Sequence, residues 1–180
     1  MRILRHLLAI LLLPFVMVVV VPRWIVTAQA ASDTRWASDT ALAWIGRGAG
    51  TLLFLAGFGL FAWCVALFGR VGRGTLAPWD PTQRLVAVGP YRHMRNPMIT
   101  GVLGMIAGEA LLLGSWRVAA WLAVFFAINQ VYFPILEEPG LERRFGEGYR
   151  RYRAAVPRWL PRATPWPGDQ AAAGADVHSP

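Results

Sequence analysis

Apolar residues fill four stretches of this chain almost without polar interruption, and arginines collect between them. The first stretch runs from Leu7 to Val21, and Ile25 and Val26 carry it past Pro22 and Arg23 to the roughly 20 residues that a bilayer core demands. Arg2 and Arg5 before it and Ala28-Gln29-Ala30 after it also fit a secretory signal with a small-residue cleavage site; the length of the run favours an uncleaved helix. The second stretch extends from about Ile45 to Phe68 and carries Gly50, Gly57 and Gly59, whose small size lets a neighbouring backbone approach closely. The third runs from Met98 to Leu113 and the fourth from Val118 to Leu136, with only Gly114-Ser115 and two flanking residues between them. That spacing predicts a tight helical hairpin. The pattern as a whole predicts an all-α integral membrane protein with about four transmembrane helices.

After Leu136 the character changes abruptly to EEPGLERRFGEGYRRYRAAVPRWLPR. Leu141, Phe145, Tyr149, Tyr152 and Val156 recur every three or four residues, forming one apolar stripe among arginines. This predicts a C-terminal amphipathic helix lying in the membrane interface, opened near Pro139 and ended at Pro157. The chain therefore divides into residues 1–69 with the first two helices, residues 70–162 with a loop, the helical hairpin and the interfacial helix, and a tail, 163–180, of disordered composition. No internal repeat and no alternating strand pattern is evident.

Composition strengthens the membrane reading: 56% of residues are hydrophobic, beyond the usual soluble range. The formal charge of +8 comes from 18 basic residues, all arginine. Because these lie beside apolar runs, membrane electrostatics explains them more simply than a nucleic-acid partner. Four spans put both termini and the 70–95 loop on one side. Arg2, Arg5, Arg70, Arg73, Arg84, Arg92, Arg95 and the seven arginines after Arg117 share that side, against Arg23, Arg35, Arg47 and Arg117 opposite, so N- and C-termini are predicted to be cytoplasmic. Arginine without lysine, together with abundant Ala, Gly, Pro and Trp, points to a GC-rich bacterial genome. The single cysteine, Cys64, permits no internal disulfide, and no Cys/His cluster offers a metal site.

Candidate chemistry gathers at GPYRHMRNPMITG, residues 89 to 101. Asn96-Pro97 has the form of a helix cap followed by proline at the first helical position. The free amides and positive end of that helix, with Arg92 and Arg95 beside them, suit a carboxylate or phosphate; the plainer alternative is a capped helix with arginines obeying the positive-inside bias. Since the hairpin's two helices rise and descend equally, Glu137 and Glu138 return to the depth of Asn96 and Pro97. Two acids then face two arginines, and a cationic ligand serves the acids as well as an arginine does. S-adenosylmethionine is one compound with a carboxylate, an ammonium, a ribose and a sulfonium. Glu109, Asn129 and Gln130 are polar residues inside spans; Glu109 is expected to reach Arg117 or water, and the two amides to bond to neighbouring helices or line an acceptor tunnel. His93 is expected to be a solvated bystander, and Tyr149 and Tyr152 to be packing residues.

Leu85-Val86, Gly89-Pro90-Tyr91, Arg95-Asn96-Pro97-Met98, Gly101 and, one hairpin later, Glu137-Glu138-Pro139-Gly140-Leu141, Phe145-Gly146-Glu147, Tyr149, Tyr152 and Val156-Pro157-Arg158 form an ordered set. It resembles the isoprenylcysteine carboxyl methyltransferase and phospholipid methyltransferase superfamily over residues 70 to 162, which would make that segment a methyltransferase core. The resemblance implies an integral-membrane enzyme that moves a methyl group from S-adenosylmethionine to a lipophilic acceptor taken from the bilayer, with no metal. It further implies cofactor contacts from Gln83, Arg84, Leu85 and Val86, from Tyr91, from Arg95, Asn96, Pro97, Met98 and Ile99, and from Glu137 and Glu138, and an acceptor site that includes Asn129 and Phe133. No catalytic acid or base is assigned. Three positions depart from the family's pattern: Asn96 stands for a common His, Ile99 for a Tyr, and Phe133 for an arginine that meets a substrate carboxylate in the isoprenylcysteine enzymes. The last makes an amine, thiol or other lipophilic acceptor at least as plausible as a prenylcysteine carboxylate. Two other functions remain open at this point: a membrane reductase of the sterol-reductase type using NADPH, and a non-catalytic membrane protein retaining the fold.

Overall fold

The computed structural model describes residues 14–28, 36, 40–68, 70 and 85–168. Five helices appear in it: α1 (Val16–Ala28), α2 (Ala41–Leu67), α3 (Pro97–Leu113), α4 (Trp116–Tyr132) and α5 (Glu138–Ala155). A short 3₁₀ turn, Gly89–Arg92, precedes α3, and a π-helical turn, Phe133–Glu137, joins α4 to α5. There is no β-strand among the described residues. The expected start of the first span before residue 14 and the tail from 169 onward lie outside the described residues.

Local chemistry sets the boundaries. Thr40 caps α2 by accepting a hydrogen bond from the Ala43 amide at 3.2 Å. At the hairpin, Gly114 ends α3 in the left-handed conformation (φ 64°), its amide bonding back to Ala110 and Leu111, as a C-terminal glycine does. Ser115 then opens α4, accepting from the Val118 amide at 3.2 Å. The indole of Trp36 lies over this corner and donates to the Leu111 carbonyl at 2.6 Å.

The seam between α2 and α3 is made of glycine. Hypothetical β-carbons at Gly50 and Gly57 would sit 2.6 Å from the carbonyl oxygens of Gly108 and Gly101 respectively, and those at Gly101 and Gly108 would sit 2.7 Å from the carbonyls of Gly57 and Gly50. Backbone thus lies directly on backbone, the approach that small residues permit in membranes. Gly59 does not take part, having nothing within 4 Å of its would-be side chain, because two residues further along a helix the direction has turned by ~200°. On the other side, α1 is tied to α4 where the Trp121 indole donates to the Met17 carbonyl at 3.1 Å.

Among the described residues, two helices are long and apolar enough to cross a membrane: α2 and the continuous run Trp116–Ala155. Only 22% of the apolar window of each is buried within the protein. Their outward faces expose Leu42, Ile45, Leu52, Leu55, Phe58, Trp63, Ile128 and Val131, an apolar skin of the kind that a membrane or another apolar surface covers. α1 and α3 are apolar but shorter.

Two cores result. The larger one, around Phe61, Cys64, Tyr91, Met98, Val102, Met105, Ile106, Val118 and Phe125, lies between the helices. The smaller is built from Tyr149, Tyr152 and Val156 with Leu85, Ala87, Leu141, Phe145 and Trp166 against them. The apolar stripe of α5 is therefore largely covered by the protein's own chain, which corrects the expectation of a helix laid apolar-face-down on the interface. α5 is also broken at Gly146 (φ 52°, ψ −127°), a backbone state that glycine adopts at little cost. From residues 163–168, assigned to the tail by composition, Trp166 packs on the smaller core, its ring tilted against Tyr152 with centroids 5.3 Å apart.

Candidate functional site

The site forms where the 85–96 segment meets the start of α3, the π-turn and the chain after α5. Leu85 to Val88 is extended, and its side chains alternate between the two cores: Val86 and Val88 join the larger, Leu85 and Ala87 the smaller. The segment is thereby a wedge that holds the two cores in register. Gln83 and Arg84, expected beside it, lie outside the described residues.

Paired backbone bonds fasten the chain after α5 across this segment. The Arg95 and Asn96 amides donate to Pro157 and Arg158 (2.8 and 3.3 Å), the Arg162 amide to His93 (3.0 Å), and the Trp166 amide to Arg92 (2.9 Å). Side chains add to this strap. Arg92 Nε donates to the Trp166 carbonyl at 2.6 Å, and His93 Nδ1 lies 2.9 Å from the Arg162 carbonyl. His93 is thus a strap residue rather than a solvated bystander, and Arg92 faces a carbonyl rather than the acids. Tyr152, buried as expected of a packing residue, donates its hydroxyl to the Tyr91 carbonyl at 2.7 Å.

At the centre of the site the hairpin does bring the Asn-Pro entrance back to the paired acids. Arg95 Nη1 lies 2.9 Å and Arg158 Nη2 2.7 Å from the same oxygen of Glu138, Oε1. All three side chains are largely buried, at 13%, 24% and 11% exposure for Arg95, Arg158 and Glu138. Glu138 is consequently consumed by protein cations. Arg158 is the partner that sequence reasoning missed, although the Val156-Pro157-Arg158 motif had placed it in the ordered set.

Glu137 behaves differently. It is half-buried and makes no hydrogen bond or ion pair among the described residues. Burial, and then repulsion from Glu138, push its carboxyl up to about 7, with Arg144 pulling the other way. Its charge is felt at Tyr91 and Tyr149, whose phenols are themselves raised chiefly by burial.

Donors without acceptors lie at the Arg95–Glu138 pair and the residue after Arg95. Asn96 occupies the cap position of α3 with Pro97 at the first helical place, but its side chain makes no capping bond. Asn96 Nδ2 and Arg95 Nε are buried and have no partner among the described residues. Such groups cost free energy while unpaired. Pro97, Met98 and Ile99 sit in or against the larger core, Met98 and Ile99 contributing apolar wall rather than polar contacts. Tyr91 is buried, its ring edge-on to Phe68 at 5.5 Å, so its phenol belongs to the core.

The two residues expected at the acceptor lie one turn up. Phe133 is buried against Trp159 (ring centroids 5.8 Å apart). Asn129 is buried too, but its amide donates to the Phe125 carbonyl of its own helix at 2.8 Å, not to a neighbouring helix. Gln130 accepts from the Trp159 indole at 2.6 Å. At the opposite end of the hairpin no ion pair joins Glu109 to Arg117; Glu109 Oε2 and Arg117 Nη1 are each buried without a partner among the described residues. No group of three or more metal-ligating side chains occurs among the described residues.

The profile of the phospholipid methyltransferase family matches residues 46–148, more than half of the chain. The chain belongs to that family. The match takes in the glycine seam, the 85–96 segment, the hairpin and both acids, and membership implies a membrane methyltransferase. No curated protein and no solved structure matches the chain. Arg158, which completes the charge cluster, and the strap through Trp166 fall beyond the matched region.

Proposed function

We propose that this protein is an S-adenosylmethionine-dependent methyltransferase acting on a lipophilic acceptor that reaches it from the bilayer. The observation that carries this reading is the half-buried Glu137, which makes no hydrogen bond or ion pair among the described residues and stands next in sequence to the Glu138 that holds Arg95, in a chain of the phospholipid methyltransferase family. The donor set suits that cofactor: a free carboxylate for an ammonium or ribose hydroxyls, and two N–H groups with the first-turn amides of α3 for a carboxylate. When bound, S-adenosylmethionine supplies a methyl group on an electrophilic sulfonium.

In this reading Glu137 holds the cationic or hydroxylated end of the cofactor, and Asn96 and Arg95 hold an anionic end. Leu85, Val86, Met98 and Ile99 provide apolar walls that exclude water. Glu138 keeps Arg95 and Arg158 in place and so orients the entrance to α3. No side chain is assigned as acid or base; rate enhancement comes from alignment and exclusion of water. Phe133 leaves its surroundings without a cation for a substrate carboxylate, which favours an amine, thiol or other uncharged lipophilic acceptor. The four apolar helices span the membrane with both termini cytoplasmic, α3 and α1 being the short spans.

Calorimetry on the purified full-length protein tests the reading, with S-adenosylhomocysteine and NADPH as separate titrants. Saturable heat with the first and none with the second is expected, and Glu137→Gln should weaken the first at least tenfold without changing the melting profile for the worse. Binding of NADPH alone would favour a reductase, and binding of neither a non-catalytic role.

A further inference from the structure

The five-residue π-turn at Phe133–Glu137 determines which side chains enter the site. Along α4 the buried residues are Val118, Phe125 and Asn129, followed by Phe133 in the turn. At ~100° per residue an uninterrupted α-helix would bring Leu136, seven residues after Asn129, back to the buried side and send Glu138, nine residues after it, to the opposite side. The reverse is found: Leu136 is 62% exposed and Glu138 only 8% exposed. Ile135, at 64%, faces out with Leu136.

The physical cause lies in Pro134. Phe133 still makes the ordinary bond from its amide to the Asn129 carbonyl, four residues back. Pro134 has no N–H for the Gln130 carbonyl, and its ring crowds that carbonyl. The ladder resumes only with a wider step, the Glu138 amide reaching the Phe133 carbonyl five residues back. One residue is thereby added to the turn, and everything after it lags by ~100°. The same lag carries inward burial from Asn129 and Phe133 on to Glu137 and Glu138, and then to the Leu141, Phe145, Tyr149, Tyr152 face of α5.

We infer that Pro134 is a positioning residue: the π-turn it opens rotates the end of the helix so that the Glu137-Glu138 pair, in place of Leu136, is presented to Arg95, Arg158 and the entrance of α3. The rotation stands on burial and backbone bonding alone; that the acids it delivers serve a cofactor rests on the proposed function.

A nitroxide on Leu136→Cys reads the rotation, because Cys64, the sole cysteine, is fully buried and stays unlabelled in the folded protein. In full-length protein in nanodiscs, Pro134→Ala is expected to lower the label's collision rate with oxygen at least threefold as residue 136 turns inward, and to weaken S-adenosylhomocysteine at least tenfold. Pro134→Ala combined with removal of Ile135 takes out the added residue, keeps the acids in phase and is expected to restore both values to within twofold of the parent. Unchanged oxygen access at 136 in Pro134→Ala would overturn the inference. A label that turns inward with undiminished cofactor affinity would uphold the rotation and defeat the cofactor role of the acids. Should Pro134→Ala fail to fold, the shortened variant decides alone: a folded protein with Leu136→Cys still oxygen-accessible supports the inference, and one with that label buried overturns it.

Discussion

Two glycines two residues apart on α2 should respond to the same substitution with opposite signs. A β-carbon at Gly57 would meet the Gly101 carbonyl oxygen at 2.6 Å and the Met105 amide nitrogen at 2.7 Å, where ordinary contact begins at 3.4 Å. The shortfall is ~0.8 Å, the difference of those distances, and the obstructing atoms are backbone, so no rotamer change relieves it. α2 and α3 must move apart by about that amount, and a gap of this size forfeits roughly a quarter to a half of the dispersion energy of each facing contact along the seam. Overpacking of this kind costs up to about 3 kcal/mol, offset by ~1 kcal/mol of improved helix propensity for alanine over glycine. Gly57→Ala is therefore expected to destabilise by ~2 kcal/mol. Gly59→Ala, with nothing within 4 Å, keeps only the propensity gain and should stabilise by up to ~1 kcal/mol. Cys64 supplies the assay: it is buried and unpaired, so a thiol-reactive fluorophore reports unfolding of the native sequence in detergent. Melting should fall by ~4–8 °C for Gly57→Ala and hold or rise for Gly59→Ala. Equal shifts at the two positions, or a Gly57→Ala protein that melts above the parent, would refute the seam.

Glu138→Gln leaves the buried guanidiniums of Arg95 and Arg158 without a counter-charge and is expected to cost about 3 kcal/mol by the same melting assay. Glu137, whose carboxyl is raised from 4.5 to about 7, gives two pH dependences of opposite sign. Between pH 4.5 and about 7 the folded chain holds a proton that the unfolded chain has released, so the stability from this group is present at low pH and lost as pH rises through about 7. Affinity for a cationic ligand, which needs the carboxylate, should instead rise across the same window; calorimetry and melting at pH 6 and pH 8 read both, and Glu137→Gln should flatten both. Tyr152→Phe removes the 2.7 Å bond to the Tyr91 carbonyl and should cost ~1–2 kcal/mol, read as faster amide exchange in the 89–94 segment.

The sequence by itself determined the helices. Unbroken apolar runs, Pro97 at a first turn, the Gly114-Ser115 corner and the Glu-Glu-Pro transition mark their own boundaries, because helix periodicity, capping and hydrophobicity act over a few neighbouring residues. It also brought Asn96 and the acid pair to one end of the hairpin, since two helices of equal length joined by a tight turn must return to the same depth. The tertiary structure alone decided which member of each pair matters: Gly57 rather than Gly59 at the seam, Glu138 rather than Glu137 in the arginine cluster, Arg158 and not Arg92 as the second cation, and Leu136 turned out where a straight helix would turn it in. Each of these depends on a phase angle accumulated along a helix or on where a distant strap lands, and at Leu136 the phase turns on one residue added after Pro134, a shift of ~100° that the apolar pattern around it does not reveal.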